Sequence, residues 1–206
     1  MRPARLEPWR KLVLASTSER RQTILRDAGL AYEAADPGDC ETPPDGAAPE
    51  AEAERLALAK ARAVAQRRAE SDAPWLVVGA DTIVVCGTAV LGKPVDRDDA
   101  ARILRMLSAT RHRVITGVAL IWLPERIEER FSETTWVRMR AMTDGEIAEY
   151  VASGEADGKA GAYAIQETGD RFVESVEGSL HNVVGFPLER FLGIIGVGNA
   201  GGERRP

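Results

Sequence analysis

The amino-acid sequence predicts an α/β protein built around a mixed β-sheet. Segments with the spacing of amphipathic helices alternate along the chain with short apolar, β-branched runs that are typical of buried strands. The chain has 206 residues, 44% of them hydrophobic, which is enough to bury one substantial core. We therefore predict a single domain over residues 11–197, with an irregular extension at 1–10 and a disordered tail at 198–206.

The first half of the chain contains five predicted elements. In order, they are a strand at 11–15, a helix from 16 to about 28, a strand at 32–35, a helix from about 50 to 70 and a strand at 74–85. Gly29 suits the C-cap of the first helix, because glycine adopts the left-handed conformation without a steric penalty. Pro49 suits the first turn of the second helix, where its missing N–H is not needed. The strand at 74–85 has the clearest pattern, since it is largely apolar and β-branched on both sides of Asp81.

The second half continues the alternation of helices and strands. The predicted elements are a helix at about 97–107, strands at 114–123 and 127–140, a helix from 144 to 153, a strand near 171–176 and a last helix from about 187. Thr143 and Glu146 have the spacing of a capping box, and Gly154 marks the end of the helix that they begin. A glycine-rich stretch at 158–169 is predicted to be a loop.

The composition and charge of the chain exclude several classes of protein. A net charge of −5 gives no overall positive field for a nucleic-acid backbone or an anionic membrane, so neither partner is expected. The longest apolar runs are far shorter than the ~20 residues of a membrane span, and residues 1–10 lack the apolar core of a signal peptide. The two cysteines, Cys40 and Cys86, form no CxxC pair. We expect a cytoplasmic protein, and the sequence leaves a homodimer open.

The first candidate site lies at the junction of the first strand and the first helix, over residues 16–21. Unpaired N–H groups at the start of a helix attract anions, and the hydroxyl of Ser16 is among those that could cap them. Arg20 and Arg21 add fixed positive charge in a geometry that matches phosphate. The alternative is an ordinary capped helix with solvated arginines.

The second candidate is Asp81, which interrupts the apolar run at 74–85. A carboxylate buried among valines costs several kcal/mol unless it is paired, hydrogen-bonded or bound to a metal. A general base or a metal ligand would explain its position. The alternative is that the strand ends at Ala80 and that Asp81 opens a turn.

Two glycine-containing loops form the remaining candidates. Lys93 lies between Gly92 and Pro94, and Gln166 ends a run of small residues that begins at Gly158. Small residues allow a ligand to approach the main chain closely, although each segment could be a plain loop. Other patterns carry no prediction: a GxGxxG match at 196–201 has no helix after it, no P-loop motif occurs, and the two histidines are far apart.

Five short motifs follow one another along the chain. They are LASTSERR at 14–21, GADT at 79–82, GKP at 92–94, KAGAYAIQ at 159–166 and GSLHNVVGFPL at 178–188. In sequence and in order, these motifs resemble those of the Maf family, and the resemblance extends from about residue 12 to residue 191.

The resemblance implies a nucleoside triphosphate pyrophosphatase that cleaves between the α- and β-phosphates with a divalent cation, Mg²⁺ or Mn²⁺. It also implies an elongated mixed sheet with flanking helices in two lobes around a central cleft, related to the fold of inosine triphosphate pyrophosphatases. In the family, the aspartate of the GADT motif is the proton acceptor, which corresponds to Asp81. The positions that select the substrate correspond to Arg20, Thr82 and Gln166.

Further residues are predicted to surround the phosphates and the metal. Lys60, Lys93 and Glu41 match family positions that line the cleft. The lysines, together with Arg21 and the helix start at Ser16, would supply the positive charge that a triphosphate needs. Glu41 would help to hold the cation, which prefers oxygen ligands.

The motif at 162–166 resembles the branch of the family that hydrolyses dTTP and UTP. The amide of Gln166 has an acceptor for a pyrimidine N3–H and a donor for the neighbouring carbonyl oxygen. Two alternatives remain: a nucleotide- or nucleic-acid-binding regulator of septum formation without turnover, and a pyrophosphatase for noncanonical or methylated purine triphosphates.

Three residues depart from the family pattern. Glu19 stands where proline is usual, Glu167 replaces a glycine and Leu180 replaces a tyrosine. Glu167 brings a negative charge close to the predicted base pocket, where it is expected to change affinity or selectivity unless it points to solvent.

Overall fold

The computed structural model describes residues 11–40, 46–68 and 73–197. The predicted extension at 1–10, the predicted tail at 198–206 and the predicted metal ligand Glu41 lie outside the described residues. The helices that it contains are α1 (Glu19–Asp27), α2 (Pro49–Gln66), α3 (Arg97–Leu107), α4 (Asp144–Ser153), α5 (Leu180–Val184) and α6 (Leu188–Ile195). In the described ranges, none of them is long and apolar enough to cross a membrane.

Seven strands in the described part of the chain form one mixed sheet. They are β1 (Lys11–Ala15), β2 (Tyr32–Ala34), β3 (Trp75–Cys86), β4 (Ala89–Leu91), β5 (Arg111–Leu123), β6 (Ile127–Met139) and β7 (Val173–Glu177). The order is β2-β1-β3-β5-β6-β7, and β4 pairs with β3 outside this path. Strands β1, β2 and β3 are parallel, whereas the pairs that involve β4 to β7 are antiparallel. The predicted α/β fold with a mixed sheet and flanking helices is confirmed.

One edge of β3 is shared by two short strands that do not meet. Strand β1 pairs with β3 up to Gly79, and β4 pairs with it from Val84 onward. Between these two positions, residues 80–83 have no partner on that edge among the described strands. The other edge of β3 pairs with β5 without interruption. The sheet therefore has a gap between β1 and β4 beside Asp81 and Thr82, while β3 stays paired with β5 along its other edge.

Two hydrophobic cores lie on either side of this opening. The first joins β1, α1 and α6 through side chains such as Leu14, Leu25 and Phe191. The second joins β4, α3 and α4 through side chains such as Leu104 and Tyr150. Since each core is anchored on a different part of β3, the opening lies between two lobes, as predicted.

Helix α2 packs on the sheet at two glycines that allow unusually close approach. A Cβ added to Gly79 would lie 2.2 Å from the carbonyl oxygen of Ala57, and one added to Gly117 would lie 2.2 Å from the carbonyl carbon of Ala53. Both contacts are with backbone, which cannot move aside. The helix can therefore lie against β3 and β5 only because these two positions lack a side chain.

The element boundaries differ from the predictions at three informative places. Helix α1 begins at Glu19 instead of Ser16. Strand β3 does not end at Ala80 but continues through Asp81 to Cys86, so the interpretation of Asp81 as the start of a turn was wrong. The five-residue helix α5 was not predicted, because so short a segment shows no helical period.

We expect the substitution Gly117→Ala to destabilise the protein by about 1–3 kcal/mol or more, because the new methyl group overlaps the backbone of α2. Unfolding in urea measures the effect. Gly193→Ala is the matched control: Gly193 lies on the exposed face of α6 with nothing within 4 Å of its added Cβ. Alanine there should stabilise the helix by about 0.5–1 kcal/mol. Equal effects of the two changes would contradict this account of the packing.

Candidate active site

The opening in the sheet forms a cavity of about 440 Å³. Eight predicted site residues line it, which are all of those that the structure describes: Ser16, Arg20, Arg21, Lys60, Asp81, Thr82, Lys93 and Gln166. They come from the β1–α1 connection, from the first turn of α1, from α2, from the middle of β3 and from the loops that follow β4 and α4. The fold thus brings together residues that are far apart in sequence.

The start of α1 is open towards the cavity. Ser18 is the N-cap residue, but its side chain makes no capping hydrogen bond. The hydroxyl of Ser16, one of those that could have capped the helix, does not do so: its Oγ accepts the backbone N–H of Ser18 (3.2 Å) and a hydrogen bond from Arg21 Nη1 (3.2 Å). Ser16, Thr17 and Ser18 all line the cavity. The first N–H groups of α1 remain available for an anion.

Arg21 connects several segments of the cavity wall through hydrogen bonds. Its Nε donates to the carbonyl oxygen of Gly185 (2.9 Å), and its Nη2 donates to Thr82 Oγ1 (3.2 Å), in addition to the bond with Ser16. Burial lowers the pKa of this guanidinium, the charge of Asp81 opposes that shift, and the charge of Arg20 adds to it. An arginine nevertheless stays protonated at physiological pH. Arg21 therefore ties β1, β3 and the segment after α5 together.

Arg20, by contrast, makes no hydrogen bond or ion pair within the described part of the chain. Burial lowers the pKa of its guanidinium, and the charge of Glu167 acts in the opposite direction. A partly desolvated cation without a bonded counter-ion is unfavourable on its own. The cavity thus contains an arginine whose charge an anionic ligand would balance.

Asp81 and Lys60 form an ion pair on the cavity wall. Lys60 Nζ donates to Asp81 Oδ1 at 2.5 Å, and the two side chains are 13% and 16% exposed. Lys60 reaches Asp81 because the turn of α2 that contains it packs closely on β3 at Gly79, through Ala57 and Ala61. The second carboxylate oxygen, Oδ2, accepts no hydrogen bond from a described residue, which leaves it free to bind water or a cation.

The loops after β4 and α4 meet at the far side of the cavity. The N–H of Gly161 donates to the carbonyl oxygen of Gly92 (3.1 Å), which joins the two predicted loop motifs directly. Lys93 and Gln166 are both exposed and line the cavity. Gln166 makes no hydrogen bond to any residue in the described ranges.

A buried polar relay behind Thr82 was not predicted. Thr82 Oγ1 lies 3.0 Å from Thr116 Oγ1, and Thr116 donates to the backbone carbonyl oxygen of Asn182 (3.1 Å). Thr116 and Asn182 are fully buried. Thr116 interrupts the apolar strand β5 as Asp81 interrupts β3, so the same reasoning about a buried polar residue could have identified it.

The described residues fit a cation that is shared with a substrate. They contain no group of three or more His, Cys, Asp or Glu side chains that could hold a metal ion by themselves. Asp81 offers one oxygen, and Asp36 and Asp39 line the same cavity. Mg²⁺ usually takes one or two carboxylates and completes its shell with water and phosphate oxygens. This donor set suits such a hydrated ion.

A buried histidine lies behind the wall of the cavity. His112 Nε2 lies 2.9 Å from the hydroxyl of Tyr163, which lines the cavity, and His112 Nδ1 has no partner in the described structure. Burial lowers the pKa of His112 from 6.5 to about 4. The folded protein therefore keeps this imidazole neutral.

Acid should destabilise the fold through His112. Its folded pKa lies below its unfolded value, so between pH 6.5 and about 4 the unfolded chain binds a proton that the folded chain excludes. Stability is lost as the pH falls through this window, by at most about 3 kcal/mol. We expect the difference in unfolding free energy between wild type and His112→Gln to shrink or reverse from pH 7 to 4.5. Gly193→Ala, which removes no titratable group, should keep the wild-type profile. A constant difference for His112→Gln would contradict the assignment.

Comparison with known proteins places the chain in a family. The model of the family described as Maf-like protein matches residues 11–196. The dTTP/UTP pyrophosphatase of Pelotomaculum thermopropionicum is 44% identical over 181 residues, which are 88% of this chain and 93% of that protein. The dTTP/UTP pyrophosphatase of Moorella thermoacetica is 45% identical over 190 residues, covering 91% and 96%. A solved nucleoside-triphosphatase (dITP/XTP pyrophosphatase) from Mycobacterium abscessus aligns with 64% of this chain and 75% of its own, with 18% identity and a TM-score of 0.37. From the match of the family model and the identity to these relatives, the chain belongs to the Maf family.

Proposed function

We propose that this protein hydrolyses dTTP and UTP to the nucleoside monophosphate and pyrophosphate. The observation that carries the proposal is the ion pair between Asp81 and Lys60. It leaves one carboxylate oxygen without a partner among the described residues, in the same cavity as Arg20, which has no ion-pair partner in those ranges either. A carboxylate next to a site for anions is what metal-assisted attack of water on a phosphate requires. Relatives of 44% and 45% identity carry the name dTTP/UTP pyrophosphatase.

Local positive charge supports the binding of a triphosphate. The whole chain has a net charge of −5, so an anionic substrate must be attracted by groups within the cavity. Arg20, Lys93 and the open N-terminus of α1 are such groups. The volume of about 440 Å³ is in the range of pockets for small ligands.

In the proposed reaction, Asp81 accepts a proton from water through its free oxygen. The water oxygen forms a bond to the α-phosphorus, the bond from that phosphorus to the bridging oxygen of the β-phosphate breaks, and pyrophosphate leaves. Lys60 keeps the carboxylate in one orientation, since it holds Oδ1. Asp81, with Asp36, Asp39 or Glu41, would hold Mg²⁺ or Mn²⁺, and the cation would neutralise phosphate charge.

We propose that the nucleotide base is selected at the exposed end of the cavity, where Gln166 lies. Gln166 keeps both its acceptor and its donor available, because no described residue uses them. A uracil or thymine ring presents an N–H beside a carbonyl oxygen, which complements the two ends of an amide. Arg20 and Thr82 share the cavity with Gln166 and are proposed to contribute to the same selection.

A panel of nucleoside triphosphates tests the proposed function. With Mg²⁺ present, we expect dTTP and UTP to be hydrolysed with the highest kcat/KM and to release pyrophosphate, not orthophosphate. Chelation of the metal with EDTA should abolish the reaction. Preference for purine nucleotides, or release of orthophosphate, would refute the proposal.

The substitution Asp81→Asn should reduce kcat by about 10²- to 10⁴-fold, because an amide cannot accept the proton of the attacking water. The amide oxygen can still accept the hydrogen bond from Lys60, so the variant should remain folded by circular dichroism. Asp170→Asn is the matched control: this exposed carboxylate does not line the cavity, and its loss should leave kcat unchanged. An Asp81→Asn enzyme with most of its activity would rule out Asp81 as the base.

A further inference from the structure

The hydrogen bonds behind Thr82 have directions that the chemistry of the groups determines. A carbonyl oxygen can only accept, so the hydroxyl hydrogen of Thr116 is donated to the carbonyl oxygen of Asn182 at 3.1 Å. A hydroxyl has one hydrogen. In the contact of 3.0 Å between Thr82 Oγ1 and Thr116 Oγ1, the donor must therefore be Thr82.

The remaining capacity of the Thr82 hydroxyl follows from this direction. Its hydrogen points to Thr116, and one lone pair accepts the hydrogen bond from Arg21 Nη2 at 3.2 Å. One lone pair is left, on a residue that lines the cavity. Thr82 consequently offers the cavity an acceptor and no donor.

We propose that Thr116 is a positioning residue for substrate selection: it fixes Thr82 as a pure acceptor, so that the site favours nucleotides that present a donor there. This inference rests on the proposed function. The donor is either the ring N–H of uracil or thymine or a hydroxyl of the sugar. If Gln166 accepts the ring N–H, the group left for Thr82 is a sugar hydroxyl.

The surroundings of Asn182 keep the relay in this direction. Its side-chain Nδ2 donates to the carbonyl oxygen of Val114 (3.0 Å) and to Thr135 Oγ1 (3.0 Å), and Thr135 donates in turn to the carbonyl oxygen of Ser179 (3.1 Å). These bonds hold the backbone of α5 against β5 and β6. Reversal of the Thr116 hydroxyl would break its hydrogen bond to Asn182 between two fully buried residues, which is unfavourable.

The variant Thr116→Val removes the hydroxyl with little change of shape. Thr82 would then be free to rotate and to donate as well as accept. The carbonyl oxygen of Asn182 keeps the backbone N–H of Gly185 as a partner at 3.0 Å, which favours retention of the fold. Thr116→Ser keeps the hydroxyl and serves as the matched rescue variant.

The experiment compares kcat/KM for nucleotides that differ in the donor that they present to Thr82. UTP and CTP test the base, because cytosine has an acceptor in place of the ring N–H of uracil and an amino group in place of the neighbouring carbonyl oxygen. UTP, dUTP and 3′-deoxy-UTP test the sugar hydroxyls. We expect Thr116→Val to lower the wild-type preference about three- to tenfold in one of these two arms, and Thr116→Ser to retain it. The arm that responds identifies the donor.

Unchanged preferences in Thr116→Val, or an equal loss in Thr116→Ser, would overturn the proposal. A double variant separates positioning from general damage. In a Thr82→Val background, adding Thr116→Val should leave the preference unchanged, since the group through which Thr116 acts is already absent. A further change there would show that Thr116 does not act through Thr82.

Binding measurements separate this inference from the proposed function. Calorimetry with the α,β-methylene analogues of UTP and CTP, and of dUTP and 3′-deoxy-UTP, reports the same preferences without hydrolysis. If the wild type releases no pyrophosphate while its binding preference depends on Thr116, the proposed function fails and the inference holds. If pyrophosphate is released and no preference depends on Thr116, the proposed function holds and the inference fails. A protein that binds none of the analogues would overturn both.

Discussion

Strand β3 is the element on which the rest of the structure depends. It is one continuous strand of 12 residues, and it contributes to the hydrophobic cores on the two sides of the opening. Its uninterrupted pairing with β5 supports the strand where β1 and β4 leave its other edge unpaired. A polar residue in the middle of a central strand would ordinarily be costly. Here the gap in the sheet gives Asp81 and Thr82 access to a cavity, so the fold tolerates polar groups at its centre.

The charges around this opening are balanced to different degrees. Lys60 pairs with Asp81, and Arg21 uses three donor atoms on oxygen acceptors within the protein. Both groups are thereby compensated for the loss of water. Arg20 has no such partner among the described residues, although burial penalises its charge. The folded protein consequently retains a positive charge whose desolvation is not compensated. A bound anion would compensate it, and binding of that anion would stabilise the fold by mass action.

Much of the fold and of the cavity was predictable because the relevant signals are local. The apolar run around Asp81, the capping box at Thr143 and the glycines that end helices each report on their immediate neighbours. All of the predicted site residues that the structure describes do line one cavity. Their roles in binding and catalysis remain proposals, and Glu41 lies outside the described residues.

The features that the sequence did not reveal depend on contacts between distant segments. Ser16 forms hydrogen bonds with Ser18 and Arg21 instead of capping α1, and nothing in the local pattern distinguishes these two uses of a hydroxyl. The need for glycine at position 117 arises from the backbone of α2 at Ala53, which is more than 60 residues away in the chain. The relay from Thr82 to Asn182 likewise joins three separate elements. Local periodicity contains no information about such pairings.

Glu167, which replaces the glycine usual in the family, is a new charge whose effect is limited by a neighbouring charge of opposite sign. This carboxylate is exposed and does not line the cavity, and Lys159 Nζ lies 3.1 Å from one of its oxygens. Lys159 is itself held by the carbonyl oxygen of Glu155 at 2.6 Å, which keeps the ammonium in place. The negative charge that Glu167 introduces near the proposed base pocket is thus partly neutralised by Lys159 on the same loop. The remaining negative charge of Glu167 acts on Arg20. It opposes the lowering of the Arg20 pKa by burial and so favours the charged guanidinium that an anionic ligand would meet.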